Sequence, residues 1–258
     1  LLEVFIALIY SFFCLDRKEL SKGSLWNGQL NKDILSYAVN FYSIGIIAHI
    51  QELSVRTISA FYLSTAQVAF YSQGEAASKL LHKIPEALST ILYPRISRID
   101  KASEAIDLSC RAFRVTLIIL SFVGFALFLI AEPLVILLYG VEFKLSASVL
   151  AIAIPGIVIG SSSLALKTFF EGSGQVSVIP KVQTIPVIAQ VVLAYYMISL
   201  YGLMGASISF SVGFSLYGLA VLFTFLRINK ISFYTMMPKI EDLKLLYELS
   251  IEKYFSKN

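Results

Sequence analysis

Apolar runs of about twenty residues, each long enough to cross a bilayer as a helix, recur along almost the whole chain. The stretch 115–131 (VTLIILSFVGFALFLIA) is continuously apolar, and spans of the same character fall at about 34–55, 62–95, 104–131, 146–170, 178–200 and 204–227. At a helical rise of about 1.5 Å per residue these spans match a hydrocarbon core of roughly 30 Å. A membrane barrel would instead alternate apolar and polar positions over segments of about ten residues. The links carry turn chemistry: Arg95 to Lys101 after Pro94, Tyr139-Gly140, Glu171-Gly172-Ser173-Gly174 and Tyr201-Gly202. The pattern predicts an all-α polytopic membrane protein, with a six-helix transmembrane bundle over 34–227. A truncated preceding helix at 1–15, which counts as the first span, and a polar cytoplasmic loop at 16–33 come before it. The stretch 228–258 places Leu243, Leu246, Leu249 and Ile251 at helical spacing among mixed charges, which predicts an amphipathic cytoplasmic tail.

Composition agrees with a bilayer as solvent: 57% of the 258 residues are hydrophobic and 15% charged, where a soluble domain has about 45–50% and about 25%. The mean hydropathy is +0.76. A net charge of +4 would point to nucleic acid in a soluble protein, but here the placement of the cations decides otherwise. Arg17, Lys18, Lys22 and Lys32 share one loop; Arg95, Arg98, Lys101, Arg111 and Arg114 fall together two crossings later; Lys167 and Lys181 follow, then the basic tail. The opposite connections hold only Arg56 and Lys144. Loops rich in Lys and Arg stay cytoplasmic, so six crossings with both ends cytoplasmic are expected, with no nucleic-acid partner. Cys14 and Cys110 fall near cytoplasmic helix ends and are expected as free thiols. The opening run (LLEVFIALIYSFFCL) has no basic flank and no small-residue cleavage site, so it reads as the tail of a transmembrane helix from a longer parent rather than a signal peptide.

The third span differs from the rest, with Glu75, Lys79, His82, Lys83 and Glu86 at membrane depth. On a continuous helix these five project into a wedge of roughly 100°, with Ser78, Ser89 and Tyr93 in or beside it. Leu80, Leu81, Ile84, Leu88, Ile91 and Leu92 take the opposite face. Charges at the bilayer centre cost roughly 2.5–3.5 kcal/mol each, which excludes a lipid-facing wedge. Two readings follow. Either Glu75 with Lys79 and His82 with Glu86 neutralise one another inside the bundle at i,i+4 spacing, or the wedge lines an aqueous chamber, which Lys83 favours because it lacks an i+4 partner. In the second span Ser36, Asn40, Ser43 and Gln51 share a face that suits either helix packing or sugar hydroxyls, and His49 lies opposite. Lys167 and Glu171 read as a local i,i+4 pair, and Gly156 with Gly160 as a small-xxx-small packing pair.

The chain has no GxxxxGK[ST], HExxH, CxxC or GxSxG motif, and two histidines are too few for a histidine-based metal site. No catalytic residue, metal or cofactor is therefore expected. A membrane-embedded glycosyltransferase or ligase, the main rival class, would be expected to show a catalytic cluster in a long outer loop. The outer connections are short, holding Glu52, Arg56, Glu132, Glu142 and Lys144.

The run AFYSQGEAASKLLHKIPEALSTILYPRIS (69–97) resembles a helix of the oligosaccharide flippases of the Wzx type, and EPLVILLYGVEF (132–143) resembles the link after their next helix. That family belongs to a superfamily shared with MATE exporters and the lipid II flippase, which are the alternative readings. The resemblance implies one MATE-like lobe of a two-lobed alternating-access transporter in a bacterial inner or plasma membrane. Its substrate would be a polyprenyl-diphosphate-linked glycan such as an O-antigen unit, moved from the cytoplasmic to the outer leaflet. It also implies membrane lipid, an N-terminal lobe and the polysaccharide polymerase machinery as partners. Under this reading Lys79 and Lys83 attract the diphosphate, while Asn40 and Gln51, with Tyr93 beside them, line the cavity for sugar. Glu75 or Glu86 exchanges a coupling ion, and His82 modulates that exchange.

Overall fold

A computed structural model describes residues 28–239, with side chains from residue 35 onward. The expected helix at 1–15, most of the loop at 16–33, Cys14 and the tail beyond residue 239 lie outside the described residues. Contacts divide the chain into two compact units, Leu1–Asn40 and Phe41–Asn258. Helix α1 is Gly28–Tyr62, so it begins within the stretch read as loop. In the first unit the Asn40 amide donates to the Ser36 carbonyl at 2.8 Å.

The second unit is built from α2 (Thr65–Lys79), α3 (Lys83–Ile96), α4 (Ala102–Leu129), α5 (Ala131–Tyr139), α6 (Lys144–Ser162), α7 (Leu164–Gly172) and α8 (Val178–Asn229). Short 3₁₀ turns, Leu80–His82, Val141–Phe143 and Phe233–Met236, complete the described residues, which contain no strand. The protein is an all-α membrane protein. Three stretches are long and apolar enough to cross a bilayer: Ala102–Leu129, Val141–Gly172 and Val178–Asn229. The last consists of two limbs on either side of Gly202, whose φ of 59° and ψ of −130° break the helix where Tyr201-Gly202 predicts a turn.

Several predicted helices are interrupted. The span read as one helix over 62–95 is two, because Pro85 has no N–H to give the Leu81 carbonyl and its ring crowds that carbonyl. The chain tightens to a 3₁₀ turn at Leu80–His82 just before it. A capping box sets the start of α2: Gln67 N–H donates to Ser64 Oγ, and Ser64 N–H to Gln67 Oε1 at 3.2 Å. The fifth predicted span is likewise divided at Ser163. There Ser162 Oγ donates back to the Val158 carbonyl at 2.6 Å and Ser163 Oγ to the Gly160 carbonyl at 2.7 Å, competition that bends helices.

Helix α6 is the hub, packing against α8, α2, α4 and α5. Its span Val141–Gly172 is 72% buried, whereas Ala102–Leu129 is 28% buried and turns Phe122, Phe125 and Leu129 outward. One apolar core gathers Tyr71, Leu150, Ile157 and Phe210; the other surrounds Phe169, Phe170 and Phe225, whose rings meet edge to face at 5.1–6.0 Å. Gly156 and Gly160 let the second limb of α8 approach α6 closely: Gly156 N–H donates to Ser211 Oγ at 3.1 Å, and a Cβ at either glycine would overlap the backbone of Ser211 or Phe214. Cys110 is a buried free thiol, as expected. Arg114, expected in a cytoplasmic connection, is buried on α4, and its Nη1 donates to the Thr235 carbonyl at 2.9 Å, tying the turn after α8 to the bundle.

Gly156→Leu forces α6 and α8 apart and lowers stability by about 1–3 kcal/mol through overpacking. Gly45→Ala, at a helical position with nothing within 4 Å of the added carbon, is neutral or stabilising by up to about 1 kcal/mol. Thermal denaturation of the detergent-solubilised protein measures both; equal midpoints for the two variants would contradict the close crossing.

Candidate substrate cavity

Helices α1 and α2 follow one another across Leu63 and Ser64, and charged side chains of the two meet. Glu52 and Arg56 lie one turn apart on α1, Glu75 and Lys79 one turn apart on α2. Arg56 Nη2 reaches Glu75 Oε2 at 2.9 Å, and Lys79 Nζ reaches Glu52 Oε1 at 2.8 Å. Lys79 Nζ also pairs with Glu75 Oε1 at 2.7 Å. The charges therefore alternate along a chain, Arg56, Glu75, Lys79, Glu52, in which each inner group has two partners of opposite sign. The Glu75 side chain is fully buried, while Arg56 keeps 40% of its side-chain surface and Glu52 48%. Lys79 Nζ also sits 5.9 Å from the centre of the Phe210 ring on α8.

Beyond this network the second unit encloses a cavity of about 320 Å³, within the range of small-molecule sites. Of the residues predicted from sequence, Gln51, Lys79, His82, Lys83 and Glu86 line it. Glu75 stands behind Lys79 rather than on the wall. Tyr93 is 40% exposed on α3 and lies off the cavity, and Asn40 belongs to the first unit. Lys83, expected to lack a partner, pairs with Glu86 Oε2 at 2.7 Å, one turn on at i,i+3. Both groups are largely exposed, so this pair is weak and its ammonium is accessible. His82 is not paired with Glu86 either: its Nδ1 lies 2.7 Å from Ser161 Oγ on α6, and its ring meets Phe214 edge-on at 6.4 Å. The 3₁₀ turn ahead of Pro85 turns His82 toward α6, which the ideal-helix projection missed.

The wall also includes Glu52, Lys167, Gln183, Phe214 and Tyr217, none of which the sequence pattern picked out as cavity residues. Lys167 pairs with Glu171 Oε1 at 3.2 Å, as the spacing predicts, yet it comes from the broken end of the α6–α7 span and faces the same space as Lys79 and Lys83. Glu52 was legible in one respect: its i,i+4 spacing from Arg56 mirrors that of Glu75 and Lys79. Gln183 and Tyr217 lie inside apolar runs and carry no local signal. Three lysines and two glutamates thus face the cavity beside two carboxamides and two aromatic rings. No group of three His, Cys, Asp or Glu suited to a metal occurs among the described residues.

A helical bundle that keeps ion pairs and a polar cavity among long apolar helices defines a membrane protein of the polytopic, cavity-bearing class. Residues 1–148 match the family described as polysaccharide biosynthesis protein, more than half of the chain, and the chain belongs to that family. Comparison with curated proteins and with solved structures returns no match.

Replacing Glu75 by Gln leaves Arg56 and Lys79 without their shared counter-charge. Breaking a buried pair costs about 3–5 kcal/mol, and the solvent reached by both cations brings the expected loss to the lower end of that range. Lys83→Met, at an exposed pair, changes stability by less than about 1 kcal/mol. Thermal midpoints of the two variants in detergent check the difference in rank.

Proposed function

We propose that the chain is one lobe of a flippase that carries a polyprenyl-diphosphate-linked oligosaccharide from the cytoplasmic to the outer leaflet by alternating access. The observation that carries this reading is the cavity wall, in which Lys79, Lys83 and Lys167 stand beside the carboxamides of Gln51 and Gln183. Ammonium groups attract a diphosphate as point charges. Carboxamides and aromatic rings suit sugar. A small cationic cargo, as in a MATE-like exporter, would meet three lysines against two glutamates on this wall, a net positive charge that disfavours it. Membership in a polysaccharide biosynthesis family supports the same class of substrate.

In this mechanism no covalent bond changes. The diphosphate enters between Lys79 and Lys83 and competes with Glu52 and Glu86 for their ammonium groups. Glu75 is the better coupling group of the two candidates, because neutralising it by a proton or a cation weakens its hold on both Arg56 and Lys79 at once. Glu86 is exposed and its pair with Lys83 is local. The second lobe facing the cavity, six crossings with both ends cytoplasmic, and a bacterial inner-membrane location complete the proposal.

Lys79→Ala combined with Lys83→Ala abolishes surface glycan in cells that depend on this protein for export, and lipid-linked glycan accumulates on the cytoplasmic side. Because Lys79 also holds the buried Glu75, surface glycan is compared at matched membrane abundance of the double variant, and Lys83→Ala alone, at an exposed pair, keeps an abundance close to that of the parent. Unchanged surface glycan would remove the lysines from the mechanism.

A further inference from the structure

Two carboxamides on the cavity wall are each buried with one polar atom unpaired. Gln51 on α1 is 4% exposed and its Nε2 has no partner; Gln183 on the first limb of α8 is 2% exposed and its Oε1 has none. Neighbouring contacts hold both in place. The Gln51 main-chain carbonyl accepts Gln190 Nε2 at 2.9 Å, which ties α1 to α8 at this level, and the Gln183 side chain hydrogen-bonds the Tyr217 hydroxyl. Buried polar atoms are nearly always paired, so an unpaired donor and an unpaired acceptor on one wall point to a ligand that completes them.

The chemistry of the two atoms narrows that ligand. An amide N–H only donates and an amide oxygen only accepts. A phosphate satisfies Gln51 and leaves Gln183 unpaired. An ammonium cargo does the reverse. A hydroxyl or acetamido group on a sugar ring both donates and accepts, so it serves both positions. Phe214 and Tyr217 line the same cavity and supply apolar surface for the carbon face of such a ring. Gly160 adds no side chain to that part of the wall.

We infer that Gln51 and Gln183 form a sugar subsite, selecting the sugar that adjoins the diphosphate held by Lys79 and Lys83. This rests on the flippase reading above, and it assigns specificity to two residues that carry no charge. Hydrogen-bonding sites discriminate by penalising a ligand that leaves their buried groups unpaired.

The test uses the full chain in detergent and two kinds of water-soluble probe: farnesyl diphosphate, and farnesyl diphosphate carrying glucose, galactose or N-acetylglucosamine. At least one sugar-bearing probe is expected to bind about tenfold tighter than farnesyl diphosphate, a typical gain for a well-made hydrogen-bond pair. Gln51→Met and Gln183→Met, which keep side-chain length, each bring that ratio close to one. If either variant does not fold, deoxy-sugar probes on the unaltered protein apply the same test, and loss of one hydroxyl is expected to remove the preference. Farnesyl diphosphate that binds with no gain from any sugar, or a gain unchanged in both variants, overturns the subsite and means that solvent already pairs the two amides. Absence of binding by every probe overturns the flippase reading itself, and the subsite with it.

Discussion

A carboxylate with no solvent exposure, placed in a bundle of long apolar helices, is the constraint on which the rest of this structure depends. Burying Glu75 is expensive unless its charge is met at close range. Arg56 and Lys79 meet it from two helices, and Glu52 meets Lys79 in turn. Those contacts tie α1 to α2 at two levels one turn apart. The network also brings Lys79 to the edge of the cavity, so the contacts that join α1 to α2 also place a cation on the cavity wall.

The cavity itself follows from discontinuities. Pro85 breaks the charged helix and turns His82 toward Ser161. The serine run at 161–163 divides the opposite span at nearly the same place. Gly156 and Gly160 meanwhile hold α6 tight against α8, so the space opens beside the hub and not through it. In membranes, interrupted helices are tolerated where they are buried in protein or line a water-filled space, which is where these lie.

The wall that results has separable parts. The lysine ammonium groups are point charges without fine directionality, and they share their charge with nearby glutamates. The carboxamides are neutral, buried and directional. Under the proposed function, that division suits a substrate with an anionic part and a sugar.

Much of the architecture was legible in the amino-acid sequence because it rests on local pattern. Long apolar runs established an all-α membrane protein, Tyr201-Gly202 marked the turn inside α8, and Gly156 with Gly160 marked a close helix crossing. The unusual helix at 65–96 stood out by its charge alone, since ionisable groups in apolar surroundings are costly wherever they occur. Which residues those charges would meet was decided by the tertiary structure. Glu75 found Arg56 on α1, Lys83 found Glu86 after the helix was reset at Pro85, and His82 found Ser161 across the bundle. Gln183, Lys167 and Tyr217 joined the site from segments with no local mark of function. The reason is physical: helical periodicity is encoded by neighbours three and four residues apart, whereas a cavity wall is assembled from helices distant in sequence, whose rotation and depth are set by packing against one another.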